Sequence, residues 1–313
     1  MKRFRNILLV SAADGRDLAA VDRAASLARR NRARLTVCTV IDEIPAAAGM
    51  LITAIPTQEI LAQAVDVQRE RLEALAAPLR EGGIGVAVKV AVGRPSMEIV
   101  RQVLRDGHDL VVMAAEGDLV GRLFGSTSLH VMRKCPCPVW VVKRTQTKPF
   151  MRILVAVNPD FSDPHRLDLC RLILDLASAL ARMENSELHV AHAWRLYGED
   201  YIRIRGGLSA EQIREVKEAE KAQHKEGLDR LLGGSDVADL HPHVHLVEGS
   251  ADRVVLDLVR DQGIDLLVMG SLGRTGIAGL FIGNTAEEVL NQVDCSVLTV
   301  KPEGFASPVS VDQ

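Results

Sequence analysis

The sequence predicts an α/β protein made of two doubly wound domains in tandem. Two observations carry that prediction: the chain repeats itself, and within each repeat near-continuous apolar runs alternate with segments of helical period. His108-Asp109-Leu110-Val111-Val112-Met113 reads against Ile264-Asp265-Leu266-Leu267-Val268-Met269 at an offset of 156 residues, and Gly93 falls on Gly249 at the same offset. Cys137-Pro138-Val139 and Val141-Val142-Lys143 fall on Cys295-Ser296-Val297 and Thr299-Val300-Lys301 at an offset of 158. Ile7-Leu8-Leu9-Val10 opens one copy as Ile153-Leu154-Val155-Ala156 opens the other. The polar stretch 144–149, with its proline, reads as a short linker and divides the chain into a first domain at 1–146 and a second at 147–313.

In the second copy, strands are expected near 152–157, 187–194, 243–248, 265–270 and 296–301. Helices are expected near 166–184, 209–232, 251–261 and 284–293. The strand segments are rich in β-branched residues and apolar throughout rather than alternating, as a parallel sheet covered by helices on both faces requires. Strand and helix patterns in strict alternation argue a doubly wound sheet. Ser250 is placed to cap the helix over 251–261 and Gly263 to end it. Such sheets bind ligands beyond the carboxyl ends of their strands, where the strand order reverses. Attention therefore falls on the loops after Val157, Trp194 and Met269.

Composition excludes several classes of partner. A chain that is 47% hydrophobic and 25% charged is an ordinary globular protein, and a net charge of −3 offers no field for nucleic acid or an anionic membrane. Apolar runs such as 86–92 are strand-length and too short to span a bilayer. Aromatic residues make up 3%, too few for base-stacking platforms. The basic start, Met1-Lys2-Arg3-Phe4-Arg5, is followed by only four apolar residues, which does not make a signal peptide. Five cysteines, odd in number and mostly inside apolar runs, are expected to be reduced thiols of a cytoplasmic protein.

The motif that carries chemistry follows the fourth strand of the second copy. Gly270-Ser271-Leu272-Gly273 is separated by nine residues from Gly283-Asn284-Thr285-Ala286, which leads into a helix. Glycines let backbone N–H groups converge closely on an anion, and the helix start adds free donors and the positive end of its dipole. Asn284 and Thr285 can donate side-chain hydrogen bonds to the same oxygens, and Arg274 lies beside the loop to meet a terminal phosphate. The same spacing also fits a plain glycine-rich turn with an N-cap.

Gly270-x2-Gly273-x9-Gly283 followed by a small polar residue resembles the signature of the universal stress protein family. The closing strands Val139-Trp140-Val141-Val142-Lys143 and Val297-Leu298-Thr299-Val300-Lys301 are similar to that family's last strand. Gly273-Arg274-Thr275-Gly276-Ile277, Gly283-Asn284-Thr285-Ala286-Glu287 and Ser307-Pro308-Val309 resemble its tandem-domain branch. The resemblance implies a five-stranded parallel sheet in each domain, of the adenine nucleotide alpha hydrolase-like kind. It also implies a stress-response role, with ATP or a related adenine nucleotide, and Mg2+ accompanying it, bound in the second domain. Carried over position by position, the contacts are Ala156, Asn158, Ala193, Met269, Gly270, Gly273, Gly283, Asn284 and Thr285. Two departures stand out: nucleotide-binding members usually have Asp where this chain has Asn158, and Ser where it has Asn284. The first copy departs further, with Ala114 for the first glycine, Ala12 in place of the contacting Asp, and seven residues between Gly117 and Gly125. It is expected to keep a helix start at Gly125-Ser126-Thr127 but no triphosphate cradle.

A second constellation is Leu240-His241-Pro242-His243-Val244-His245. Read as a strand, it puts His241, His243 and His245 on one face, spaced to meet one Zn2+ or similar ion; a polar edge with no metal is the competing reading. His189 and His192 read as histidines satisfied by hydrogen bonds. Cys135-Pro136-Cys137 lacks redox spacing and reads as inert packing with both sulfurs on one face. The acidic and basic residues over 211–226 form a solvated helix face, and 195–208 reads either as a lid over a ligand or as a surface excursion. No Ser/His/Asp or Cys/His set falls at a recognisable spacing. ATP hydrolysis, if present, is therefore expected to be slow, since a glycine cradle without a placed base or lysine stabilises little of the transition state. The alternative is a nucleotide-free interaction or scaffold protein. The two domains are expected to pair as a pseudo-dimer through 139–142 and 297–300, and a higher oligomer remains compatible with the sequence.

Overall fold

In the computed structural model, residues 4–43, 57–117, 123–196, 198, 209–271 and 283–311 are described. The first copy contributes β1 (Asn6–Val10), α1 (Leu18–Asn31), β2 (Arg34–Ile41), α2 (Thr57–Glu81), β3 (Val86–Val92), α3 (Pro95–Asp106), β4 (Leu110–Ala114), α4 (Ser126–Lys134) and β5 (Val139–Val142). The second contributes β6 (Arg152–Ala156), α5 (Pro164–Glu184), β7 (Glu187–Trp194), α6 (Ala210–Gly233), β8 (His243–Glu248), α7 (Ala251–Asp261), β9 (Leu266–Gly270), α8 (Asn284–Gln292) and β10 (Ser296–Val300).

Local chemistry sets the helix ends. Asp163 caps α5 by accepting from the N–H groups of His165 and Arg166, and Pro164 supplies the first helical residue, so the helix starts two residues before the periodic pattern does. Ser209 and Gln212 form a reciprocal capping box at the start of α6. Gly263, at φ 58°, ends α7 in the left-handed conformation that glycine adopts without a Cβ penalty, and Ile264 N–H closes back on Val259 O at 2.9 Å.

Within each copy all strand pairs are parallel, in the order β3-β2-β1-β4-β5 and β10-β9-β6-β7-β8. The expected pairing of the last strands is realised as backbone hydrogen bonding. β5 and β10 run antiparallel, Val141 opposite Val297 and Trp140 opposite Leu298, and fuse the two sheets into one of ten strands. β5 and β10, each the edge of its own half-sheet, thereby cover one another, which removes two templates for aggregation and leaves β3 and β8 as the edges.

The cores consequently follow the faces of the sheet rather than the copies. One face packs α1, α2, α5 and α6 around Leu9, Trp140, Phe150, Ile153 and Leu174. The other packs α3, α4, α7 and α8 around Leu8, Met132, Leu154, Leu267 and Leu290. Polar contacts across the seam are reciprocal: Lys143 Nζ donates to Asp294 Oδ1 at 2.8 Å, and Lys301 Nζ donates to Arg133 O at 3.2 Å. Burial lowers the Lys301 pKa to about 8. The tail after β10 buries Val309 among the α3–α4 and α7–α8 layer. Among the described residues, no helix is long and apolar enough to cross a membrane.

Candidate functional site

In the second copy the chain leaves β6 toward β7 on one side and reaches β9 on the other, so the order reverses between β6 and β9. In a doubly wound sheet the ligand crevice lies where that happens, outside the carboxyl ends of the two strands. Ala156 and Met269 are register partners at its base, and Asn158 follows, exposed. Ala193, near the end of β7, pairs with Val247 and flanks the crevice one strand over. Gly270 ends β9, and a Cβ there would lie 3.1 Å from Leu169 Cδ2, so this glycine also serves the packing of α5.

The two halves of the glycine motif meet at this mouth. Ser271 N–H donates to Val300 O at 3.2 Å, and Gly283 N–H donates to Ser271 O at 3.0 Å. Segment 272–282, with Gly273 and Arg274, lies outside the described residues, but its two ends are tied together directly above β9. Among the described residues no side chain caps the N-terminus of α8, and the first-turn N–H groups of Asn284, Thr285 and Ala286 have no intrahelical acceptor. Ser271 Oγ, fully buried, has no hydrogen-bond partner among the described residues. An uncapped helix start beside an orphaned hydroxyl suits a phosphate. Beyond Arg195, Leu196 and Gly198, the segment 195–208 likewise lies outside the described residues.

The three-histidine strand face is corrected by the structure. β8 begins only at His243; His241 ends a single 3-10 turn, Ala238–Leu240, with φ 44°, and is not part of the strand. Register instead places His189 of β7 opposite His243, with Glu187 two residues before it on the same face. One potential ligand atom from each of Glu187, His189 and His243 lies within 4.8 Å of the others. Nothing in the spacing of Glu187 and His189 marks them, because only the parallel pairing with β8 brings the groups together.

His192 behaves as expected. Its Nδ1–H donates to Val157 O at 3.0 Å and its Nε2 accepts from His224 Nδ1 at 2.8 Å, which ties the segment leading into the crevice to α6. Burial pushes its pKa down to about 4. All five cysteines are free and buried. Cys135 and Cys137 have their sulfurs 3.4 Å apart, and the Cys135 thiol, with burial second, holds Cys137 well above the ordinary thiol range, so Cys137 is not a ready nucleophile.

A profile of the universal stress protein family matches residues 3–143 and again 149–301. The chain belongs to the universal stress protein family. Universal stress protein E of Photorhabdus laumondii is 29% identical over 99% of this chain and 98% of its own. Universal stress protein E of Escherichia coli K12 is 32% identical over 74% of this chain and 72% of its own. A functionally unknown protein from Pseudomonas aeruginosa PAO1 shares the fold with a TM-score of 0.68 at 24% identity, covering 97% of this chain and 95% of that one. A universal stress protein from Archaeoglobus fulgidus does so with a TM-score of 0.59 at 20% identity, covering 95% and 98%.

The first universal stress protein domain has a cavity at the equivalent position, with Glu116 beside the start of its helix. Glu116 folds back over Gly125 at the start of α4, so closely that a Cβ on Gly125 would sit 1.6 Å from Glu116 Oε2. A carboxylate there is favoured by the helix dipole. The cavity there has a volume of about 200 Å3 and is lined by Ser11, Ala12, Asp17, Met113, Glu116 and Thr127 among others. The shortened loop and the missing first glycine were legible in the sequence; the approach of Glu116 to Gly125 was not. Gly125→Ala is expected to displace Glu116 and destabilise the protein, and much less so in a Glu116→Ala background. A double-mutant cycle in urea should show coupling of about 0.5–3 kcal/mol; additive effects would show that the two residues do not meet.

Proposed function

We propose that this protein is a stress-response protein that binds ATP or a related adenine nucleotide in its second domain, with the phosphates at the start of α8 and Mg2+ accompanying them. The observation that carries the reading is internal. At the first copy's helix start, an anionic carboxylate occupies the space over Gly125. In the second copy the residue matching Glu116 by offset is Leu272, which brings no charge. Gly283 has an extended backbone, φ −63° and ψ 143°, that any residue adopts, so its conformation does not call for glycine. An absent side chain there keeps the approach to the α8 N–H groups clear, as close contact with a phosphate requires.

In this reading the backbone N–H groups of the α8 first turn and the Asn284 and Thr285 side chains hold the phosphates, with Gly273 and Arg274 contributing from the loop. Asn158 hydrogen-bonds the ribose as an amide in place of the family's carboxylate, and Ala156, Ala193 and Met269 form the apolar wall for the base. No general base is among these residues, so turnover is slow and binding is the function.

Calorimetric titration of the full chain with ATP and Mg2+ tests this. One saturable site per chain is expected, and Gly283→Val should weaken binding by roughly 100-fold or more, the loss of two or more charge-assisted hydrogen bonds. Absence of saturable binding in the wild type sinks the proposal. Two sites per chain would contradict the assignment of the first copy as plugged by Glu116.

A further inference from the structure

We propose that Glu187, His189 and His243 form a binding site for a divalent transition-metal ion of the zinc class, with water completing its coordination. The site lies at the amino ends of β7 and β8, at the outer edge of the sheet and the opposite end of the strands from the nucleotide crevice, and it is independent of that crevice.

Register creates the cluster. His189 pairs with His243 and Ala191 with His245 in the parallel β7–β8 ladder, and paired residues share a face. Glu187, two residues before His189, joins them. The potential ligand atoms of Glu187, His189 and His243 lie within 4.8 Å of one another. Metal bonds of about 2.0–2.1 Å place tetrahedral ligands about 3.4 Å apart, so closure needs a contraction of little more than an ångström. Glu187 and His243 are exposed at the sheet edge. Glu187 must exchange its pairing with Arg152 Nε at 2.9 Å, a contact between two half-exposed side chains, which is the kind of surface pair that holds weakly.

The buried member gives the second, independent reason. His189 is 3% exposed. Its Nδ1 lies 3.0 Å from His245 Nε2, while its Nε2 is buried with no hydrogen-bond partner among the described residues. If Nδ1 carries the proton and donates it to His245, Nε2 presents a lone pair 3.8 Å from Glu187 Oε2, acceptor facing acceptor. If Nε2 carries the proton, 3.8 Å is too long for a hydrogen bond. A cation between the two resolves the first arrangement, and His245 then acts as the outer partner that fixes the tautomer of a metal-bound imidazole. Two imidazoles and one carboxylate make the donor set of an open zinc site, and the same set accepts cobalt(II), nickel(II) or copper(II).

The test is titration of zinc chloride into the full-length protein, freed of any polyhistidine tag and of nucleotide, with cobalt(II) as a visible-absorption reporter of four-coordinate geometry. One ion per chain is expected. His243→Ala and Glu187→Gln change exposed side chains and leave the fold intact; each should weaken binding by about tenfold or more, whereas His241→Ala should leave it unchanged within about twofold. His189→Ala, being buried, is not needed. Absence of saturable binding by the wild type overturns the proposal. So does retention of wild-type affinity in His243→Ala, or a loss in His241→Ala equal to that in His243→Ala.

Discussion

Replacing Arg23 with alanine is expected to cost about 3–5 kcal/mol of stability, one of the two largest effects foreseen for a single residue. Arg23 lies on α1 of the first copy and Glu184 on α5 of the second. Their side chains are 10% and 8% exposed, with Nη1 and Oε1 2.5 Å apart. The guanidinium also donates to Lys148 O in the connecting segment and lies 4.2 Å over the Phe150 ring, while Glu184 Oε2 accepts from Phe150 N–H at 3.1 Å. Phe150 in turn packs against Trp140, ring centroids 5.9 Å apart. One ion pair therefore pins the linker between the copies and holds an aromatic pair beneath it. Alanine at 23 leaves a buried carboxylate without its cation, which is where the cost arises. The double variant Arg23→Met with Glu184→Leu removes both charges and should return to within about 1–2 kcal/mol of wild type, because such pairs offset most of their attraction by desolvation. Urea midpoints at unchanged slope measure both; a single variant that costs less than about 1 kcal/mol would show that the pair does not hold the copies together.

Stability is expected to fall steeply as pH drops from about 6.5 toward 4. His192 has its pKa lowered by burial to about 4, whereas in the unfolded chain it titrates near its ordinary 6.5. Between those values the unfolded state binds the proton and the folded state does not, so the contribution is complete above pH 6.5 and is lost as pH falls through the window. The size is about 3 kcal/mol from this residue. His108, His189 and His245 are lowered in the same direction, each by burial first. The physical source at His192 is that both ring nitrogens are committed: Nδ1–H to Val157 O, and the Nε2 lone pair to His224 Nδ1–H. Protonation takes that lone pair. His192→Gln, which can still donate to Val157 O, should flatten the dependence of urea stability on pH over 4.5–6.5. An unchanged slope in the variant would show that the titrating groups lie elsewhere.

Much of this architecture is legible without coordinates. The strand segments rest on patterns within a short window of chain, where a buried parallel strand or an amphipathic helix announces itself by period and by an end signal such as Gly263, and the repeat rests on matching those windows along the chain. The glycine motif was equally visible, since it needs only spacing and a following helix. His241 was misplaced because alternation was extended two residues too far, into a turn whose left-handed end the residue types did not mark.

What the sequence by itself determined, then, is the two-domain α/β fold and the loop beside which a phosphate is expected to bind. The tertiary structure decided which side chains meet: Glu116 over Gly125, His189 against His243, Arg23 with Glu184. Local propensity acts within a turn or a strand, whereas these contacts join elements far apart in the chain through strand register and helix packing. Only the assembled sheet supplies that register and packing, so no local pattern could have shown them.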